Sequence, residues 1–318
     1  MNSPAWLRAD LSRVEGLLLQ AAGDSFHSLV SDASTHLIQA GGKRIRPALV
    51  MLSSRSGDAG RRATDLSAAA IELVHLATLY HDDVIDETET RRGVPTVHSK
   101  WGIEIAVLAG DFLFARGCTL GAEAGGEVPG ILARAIAEVC EGQIIETVTL
   151  GDPRRPVSEY LETIERKTAA LFRAACELGA ATAGSTDTDR AALVTYGHKL
   201  GLAFQIVDDL LDLVGDPADT GKIPGTDLRE GVFTMPVLLA CERDPSLADR
   251  IAGGERELST LLPKLEATGA LESTYQTASG LAEDALQAIG PIPDSEWRAT
   301  LEYLIESVLA QIPKEAVA

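Results

Sequence analysis

Apolar residues recur at intervals of three and four almost from one end of the chain to the other, and strand-like alternation is nearly absent. That pattern commits the chain to packed helices, because a helix turns such spacing into one continuous buried stripe. It predicts helices over roughly 5–22, 25–39, 46–57, 61–87, 98–124, 127–149, 156–182, 187–214, 232–243, 247–266, 268–289 and 294–312. Breaks fall at Gly41-Gly42, Arg92-Gly93-Val94-Pro95, Gly151-Asp152-Pro153, Gly215-Asp216-Pro217 and from Gly221 to Gly225. No composition shift, low-complexity tract or fixed-period repeat divides the 318 residues. The expectation is one all-α domain, 1–318, long enough to bury its own core.

Composition serves mainly to exclude. With 28 basic against 47 acidic residues the formal charge is −19, the wrong sign for neutralising nucleic-acid phosphates or for an anionic lipid surface. Cys118, Cys140, Cys176 and Cys241 form no CxxC pair and lie in helical stretches beside apolar residues. They read as small core residues in a reducing compartment. The N-terminal stretch has no signal-peptide core, and no unbroken apolar run reaches about 18 residues. A cytoplasmic protein with no transmembrane segment is expected.

Two aspartate clusters carry the chemistry. In His81-Asp82-Asp83-Val84-Ile85-Asp86, Asp82 and Asp86 are four residues apart and project from one helix face, about 6 Å apart along the axis. His75 and Thr78 continue that face backwards. Asp208-Asp209-Leu210-Leu211-Asp212 repeats the motif inside an otherwise apolar helix, with Gln205 one turn before Asp209. Carboxylates so placed repel one another and would take up protons if left dry. Hard divalent cations remove the conflict: Mg²⁺ takes one or two carboxylates and completes its octahedron with water and substrate phosphates. Two DDxxD clusters on apolar helices therefore point to metal-bridged binding of a diphosphate. The sparse positive charge gathers at Gly41-Gly42-Lys43-Arg44-Ile45-Arg46-Pro47, at Arg91-Arg92-Gly93 and at Arg166-Lys167-Thr168. Arginine suits bidentate phosphate contact, and lysine acts as a point charge.

With these motifs in hand, the chain resembles the trans-polyprenyl diphosphate synthases, and in pattern the long-chain bacterial members. GGKRIRP, ELVHLATLYHDDVIDETETRRGVPT, AGDFLFARG, ERKTAALF, LGLAFQIVDDLLD and DTGKIPGTDLREGVFTMP stand in that family's order and spacing. The resemblance implies the isoprenoid synthase fold, mostly antiparallel helices around a deep central cavity, and a homodimer. It implies Asp82, Asp86 and Asp208 as main Mg²⁺ ligands, with Asp83, Asp209 and Asp212 supporting or supplementing them. Lys43, Arg46, His75 and Arg92 match positions that bind isopentenyl diphosphate. Arg91, Lys167, Thr168, Gln205 and Lys222 match those around the allylic diphosphate, and Asp227 lies in a loop that closes over the site. One position departs: where the family often has a second lysine, Gly231-Val232-Phe233-Thr234 places Val232.

The implied reaction is head-to-tail (1'-4) condensation of isopentenyl diphosphate with an allylic diphosphate, an Mg²⁺-dependent prenyl transfer that releases diphosphate. Asp82, Asp86, Asp208, Arg91 and Lys167 are the expected catalytic set. His81 is expected to pack or hydrogen-bond beside Asp82 rather than act as a base. The growing chain should run back from Asp82 past Thr78 and Ala77, the latter about 7.5 Å down the helix. Small residues there leave the channel open, which predicts a product of C30 or more, as in quinone side chains. A bulky floor near Phe112 to Phe114 would instead stop at geranylgeranyl or farnesyl diphosphate. Two rival readings are a subunit of a heteromeric synthase, suggested by Val232, and a class I terpene cyclase, disfavoured by the second all-aspartate motif.

Overall fold

The structure is a computed structural model that describes residues 4–58, 62–216 and 223–312. Lys222, one of the expected allylic-diphosphate residues, lies outside the described residues. The helices are α1 (Ala5–Gly23), α2 (Ser28–Gln39), α3 (Ile45–Ser53), α4 (Arg62–Ile85), α5 (Val97–Trp101), α6 (Ile103–Ala124), α7 (Val128–Val148) and α8 (Val157–Ile164). They continue with α9 (Ala170–Ala183), α10 (Asp187–Val214), α11 (Thr226–Glu230), α12 (Met235–Arg243), α13 (Pro245–Ala252), α14 (Leu258–Ala267), α15 (Ala270–Ile289) and α16 (Glu296–Leu309). A π-helical turn, Glu165–Ala169, joins α8 to α9. Two short strands, β1 (Thr90–Arg91) and β2 (Val94–Pro95), pair antiparallel with Thr90 opposite Pro95.

The all-helical expectation holds, and the departures have local causes. The helix expected over 98–124 breaks at Gly102, whose φ of 95° only glycine adopts easily. The one expected over 247–266 divides into α13 and α14 at Gly253-Gly254. Periodicity missed α11, a single turn too short to show a period.

Contact density divides the chain into two compact units, Met1–Ile136 with Ala174–Val194 and Ala137–Arg173 with Thr195–Ala318. The core of the first is α4, whose Leu66, Ile71, Leu73, Val74, Leu76 and Ala77 are almost wholly buried. Each large apolar side chain so buried stabilises by about 1.5–3 kcal/mol. Tyr80 ties α4 to α2 by donating its hydroxyl to the Ala33 carbonyl at 2.8 Å. In the second unit α10 buries Ile206, Val207 and Leu210. Phe172 and Phe204 stack obliquely there with centroids 5.2 Å apart, and Tyr196 donates to the Leu301 carbonyl at 2.7 Å.

Two of the four cysteines depart from expectation. Cys176 and Cys241 are buried, but Cys118 and Cys140 are exposed. They lie on α6 and α7, whose outward residues include Leu108 and Ile144, both more than 60% exposed. An apolar neighbourhood in the sequence is therefore not a buried one at these positions. Among the described residues α6 is the one helix long and apolar enough to cross a membrane by length and composition. It is nonetheless packed into its unit through Ala106, Ala109 and Leu113, and its Arg116 donates to the Ala21 carbonyl at 2.8 Å.

Candidate functional site

In the first unit the C-terminal end of α4 presents the first aspartate cluster. Asp82 is half-buried and Asp86 exposed, and the backbone N–H of Asp86 still donates to the Asp82 carbonyl at 2.8 Å. The helical spacing that puts both carboxylates on one face is thus intact. Asp83 points the other way. It is buried, and its Oδ1 accepts from Arg91 Nε at 2.5 Å. Burial raises its pKa, with Arg91 opposing.

Arg91 sits on the β1–β2 hairpin, and the hairpin is pinned by Arg92, which donates Nη1 to the carbonyls of Leu37, at 3.0 Å, and Gly41. Arg44 occupies the left-handed region (φ 48°) at the start of α3. Its guanidinium forks onto Glu15, at 2.8 Å through both nitrogens, and reaches Glu72 at 3.2 Å. That leaves Arg44 a structural cation. Arg46 and His75 are half-buried, and Lys43 is exposed on the loop before α3. Burial pushes Arg46 down to about 10, with Glu72 opposing and Arg92 adding to the drop. Burial, then Arg46, Arg92, Arg91 and Arg44, hold the His75 imidazole well below its usual pKa. The structure therefore brings Arg46, His75 and Arg92 into one positive neighbourhood with a neutral histidine, an arrangement suited to an anion.

Below Asp82, Ala77 is fully buried, and Thr78 spends its hydroxyl on the His75 carbonyl at 2.7 Å. His81 packs with its Nε2 3.2 Å from the Val107 carbonyl and its ring 5.5 Å from that of Phe114.

In the second unit a chain of hydrogen bonds crosses α8, the π-turn and α10. Thr168 Oγ1 donates to Gln205 Oε1 at 2.8 Å, and Gln205 Nε2 donates to Asp209 Oδ1 at 2.8 Å. The Tyr160 hydroxyl donates to the other oxygen, Oδ2, of Asp209. Burial pushes the Asp209 carboxyl up to about 7 despite those two donors. Lys167, on the π-turn, donates to Glu146 of α7. Asp212 is buried and caps α11, accepting from the backbone N–H groups of Thr226 at 3.1 Å and Asp227 at 3.3 Å. Asp227 in turn accepts the Val232 N–H on its carbonyl at 2.8 Å, closing the loop. Asp208 is half-buried.

The six aspartates therefore divide by environment. Asp82, Asp86 and Asp208 reach solvent, whereas Asp83, Asp209 and Asp212 are buried on protein donors. Among the described residues no three His, Cys, Asp or Glu side chains converge as a ready metal cluster. Hard carboxylate oxygens that are few and accessible fit Mg²⁺, which relies on water and substrate phosphate for the rest of its shell.

Sequence reasoning missed Tyr160, Glu146 and Arg155. Tyr160 had a faint signal, lying seven residues before Lys167 in one helical run. Glu146 and Arg155 had none, because what marks them is a tertiary neighbour.

Residues 27–260 match the model of the polyprenyl synthetase family. Component 2 of the heptaprenyl diphosphate synthase of Geobacillus stearothermophilus is 38% identical over 305 residues, covering 94% of this chain and 95% of that protein. A decaprenyl diphosphate synthase from Rhodobacter capsulatus superposes with a TM-score of 0.91 at 36% identity, over 97% of this chain and 98% of that one. A polyprenyl synthase from Caulobacter crescentus, crystallised with calcium and isoprenyl diphosphate, superposes with a TM-score of 0.90 at 38% identity, over 95% of each chain.

Proposed function

This chain belongs to the polyprenyl synthetase family and is a trans-prenyl diphosphate synthase, and we propose that it builds an all-trans chain of C30 or longer for a quinone side chain. The observation that carries the length is on α4: five and four residues before Asp82 the helix offers Ala77 and Thr78 rather than an aromatic ring, and Tyr80 turns to α2. The heptaprenyl and decaprenyl synthases among its relatives support the same reading.

In this reading Lys43, Arg46, His75 and Arg92 hold isopentenyl diphosphate. Three of them share one neighbourhood in which burial first, and cationic neighbours second, lower the pKa of Arg46 and His75, so a bound anion is favoured there. Arg91, Lys167, Thr168, Gln205 and Lys222 hold the allylic diphosphate. Asp82, Asp86 and Asp208 would hold Mg²⁺, which would supply charge that stabilises the departing diphosphate. Asp83, Asp209 and Asp212 serve the metal site by fixing its surroundings. Asp83 orients Arg91, Asp209 orients Gln205 and through it Thr168, and Asp212 holds the loop that carries Asp227. Arg91 and Lys167 stabilise charge that grows as the allylic C–O bond ionises. Holding both substrates makes the new C–C bond a positioned, nearly unimolecular step. The proton lost afterwards goes to the departing diphosphate, since His81 Nε2 already lies 3.2 Å from the Val107 carbonyl and 3.4 Å from Asp111 Oδ1.

The family match draws on residues of both units, which supports one catalytic domain over 1–318. The exposed Ile103, Val107 and Leu108 on α6 support a homodimer built on that face. A cytoplasmic site of action is part of the same reading, with α6 partly buried in its unit. A second reading has one specific observation in its favour: the Geobacillus relative is a component of its synthase, so this chain would need a partner subunit.

The deciding experiment incubates the purified chain with Mg²⁺, labelled isopentenyl diphosphate and dimethylallyl, geranyl, farnesyl or geranylgeranyl diphosphate in turn. Products are then sized after dephosphorylation. Chains of C30 or more are expected. A stop at C15 or C20 overturns the open channel at Ala77, and no product from any primer selects the two-component reading.

A further inference from the structure

In the second unit the lysine proposed to meet the allylic diphosphate already has a partner. Lys167 Nζ donates to Glu146 Oε1, and the two side chains are only 23% and 20% exposed. The backbone builds this pairing. Gly142, one turn before Glu146 on α7, lies against the π-turn, where any Cβ would run into the backbone nitrogen of Lys167. Four residues on, Glu146 projects from the same face, beside the Lys167 side chain. Single π-turns inside helices frequently mark functional positions.

The same carboxylate has a second cation nearby. Arg155 is buried, and its Nη1 donates to Thr149 Oγ1 at 2.5 Å. Thr149 Oγ1 itself donates to the carbonyls of Ile145 at 2.8 Å and Glu146 at 3.2 Å. Arg155 is thereby anchored to the turn of α7 that carries Glu146. Its Nε is buried without a hydrogen-bond partner among the described residues, a costly state for a charged donor. Burial lowers its pKa, and Glu146 is the carboxylate that most opposes the drop.

We propose that Glu146 is a two-position counter-ion, holding Lys167 before the allylic diphosphate binds and turning to Arg155 once the diphosphate takes Lys167. The inference rests on the reading of Lys167 as a diphosphate ligand. A ligand shifts such an equilibrium only through its different affinity for the two positions. The diphosphate binds the one in which Lys167 is released. Arg155 lowers the cost of that release by giving Glu146 another partner and its own Nε an acceptor. Glu146 is thus a positioning residue: it sets how strong an anion must be to draw Lys167 away, and its return to Lys167 favours release of product diphosphate.

The test titrates inorganic diphosphate with Mg²⁺ into the full chain by calorimetry, for the wild type, Glu146→Gln, Arg155→Gln and the double variant. Glu146→Gln is expected to bind diphosphate roughly three- to tenfold more tightly, the scale of a partly buried ion pair. Its KM for the allylic substrate should fall with it while KM for isopentenyl diphosphate stays put. Arg155→Gln is expected to bind more weakly by a similar factor, and that effect should vanish in the double variant. Unchanged or weaker binding by Glu146→Gln, or additive effects in the double variant, overturns the switch and leaves the synthase reading standing. A wild type that makes polyprenyl product yet binds no diphosphate also overturns the switch, and one that does neither removes the reading beneath it. If Arg155→Gln does not fold, as thermal unfolding would show, the Glu146→Gln affinity and the split between the two KM values decide.

Discussion

The two units handle charge in opposite ways. In the first, Arg46, Arg92 and a neutral His75 lie together, and burial, with the neighbouring arginines adding to it, lowers the pKa of all three while Glu72 opposes the drop at the two arginines. In the second, Lys167 is paired with Glu146, and both oxygens of Asp209 are taken by Tyr160 and Gln205. The first keeps these cations together, an arrangement suited to the proposed diphosphate. The second is neutralised internally and has to exchange partners to bind. That difference suits the two proposed substrates, because the one merely held needs attraction and the one that ionises needs groups that can follow its charge.

Four substitutions would break or sharpen this contrast. The largest effect is expected from Asp208→Asn, which removes an accessible carboxylate from the proposed metal set: kcat should fall roughly 10²–10³-fold. The unfolding temperature should barely move, since Asp208 is half-buried; a large thermal shift would mean that it is structural, like its neighbour. Arg46→Met should raise KM for isopentenyl diphosphate about ten- to a hundredfold, the worth of a charge-assisted hydrogen bond. It should leave KM for the allylic substrate alone, and an equal rise in both would erase the division of labour.

Tyr160→Phe leaves one oxygen of the buried Asp209 without its donor and should destabilise the protein by about 1–3 kcal/mol in denaturant titration. A neutral outcome would show that Asp209 is not held as a positioning group. The smallest effect concerns pH. His75 is held neutral in the folded state, its pKa depressed below the ordinary value, so the unfolded chain binds the extra proton. The associated stability is present above about pH 6.5 and is lost as pH falls below it, by up to about 1.4 kcal/mol per pH unit. His75→Gln should flatten that part of the stability curve, and a curve unchanged in shape would show that burial and the neighbouring arginines do not hold His75 neutral.

The difference between the units also marks where the sequence was legible. On α4 and α10 the aspartates stand at helical spacing, so Asp82 with Asp86 was expected to share a face, as it does. The helix over 187–214 was expected to its exact bounds, because the period persists for many turns. The division of the six aspartates into accessible and buried sets was not legible, since residues of one type sit side by side in the chain with opposite environments. Nor was the exposure of Cys118 and Cys140, because an amphipathic pattern does not say which apolar stripe is covered.

By itself the sequence determined the all-helical fold, the family and the faces on which the aspartates lie, since each follows from spacing along a rigid helix or from motifs read in order. Only the tertiary structure decided that Tyr160 holds Asp209, that Glu146 holds Lys167, that Arg44 is spent on Glu15 and Glu72, and that Arg46 and Arg92 crowd His75. Those partners lie 21 to 49 residues apart in the chain where the hydrogen bonds join them. Helical spacing reaches only from one turn to the next; what faces a side chain across a packed interface is set by how close two backbones come.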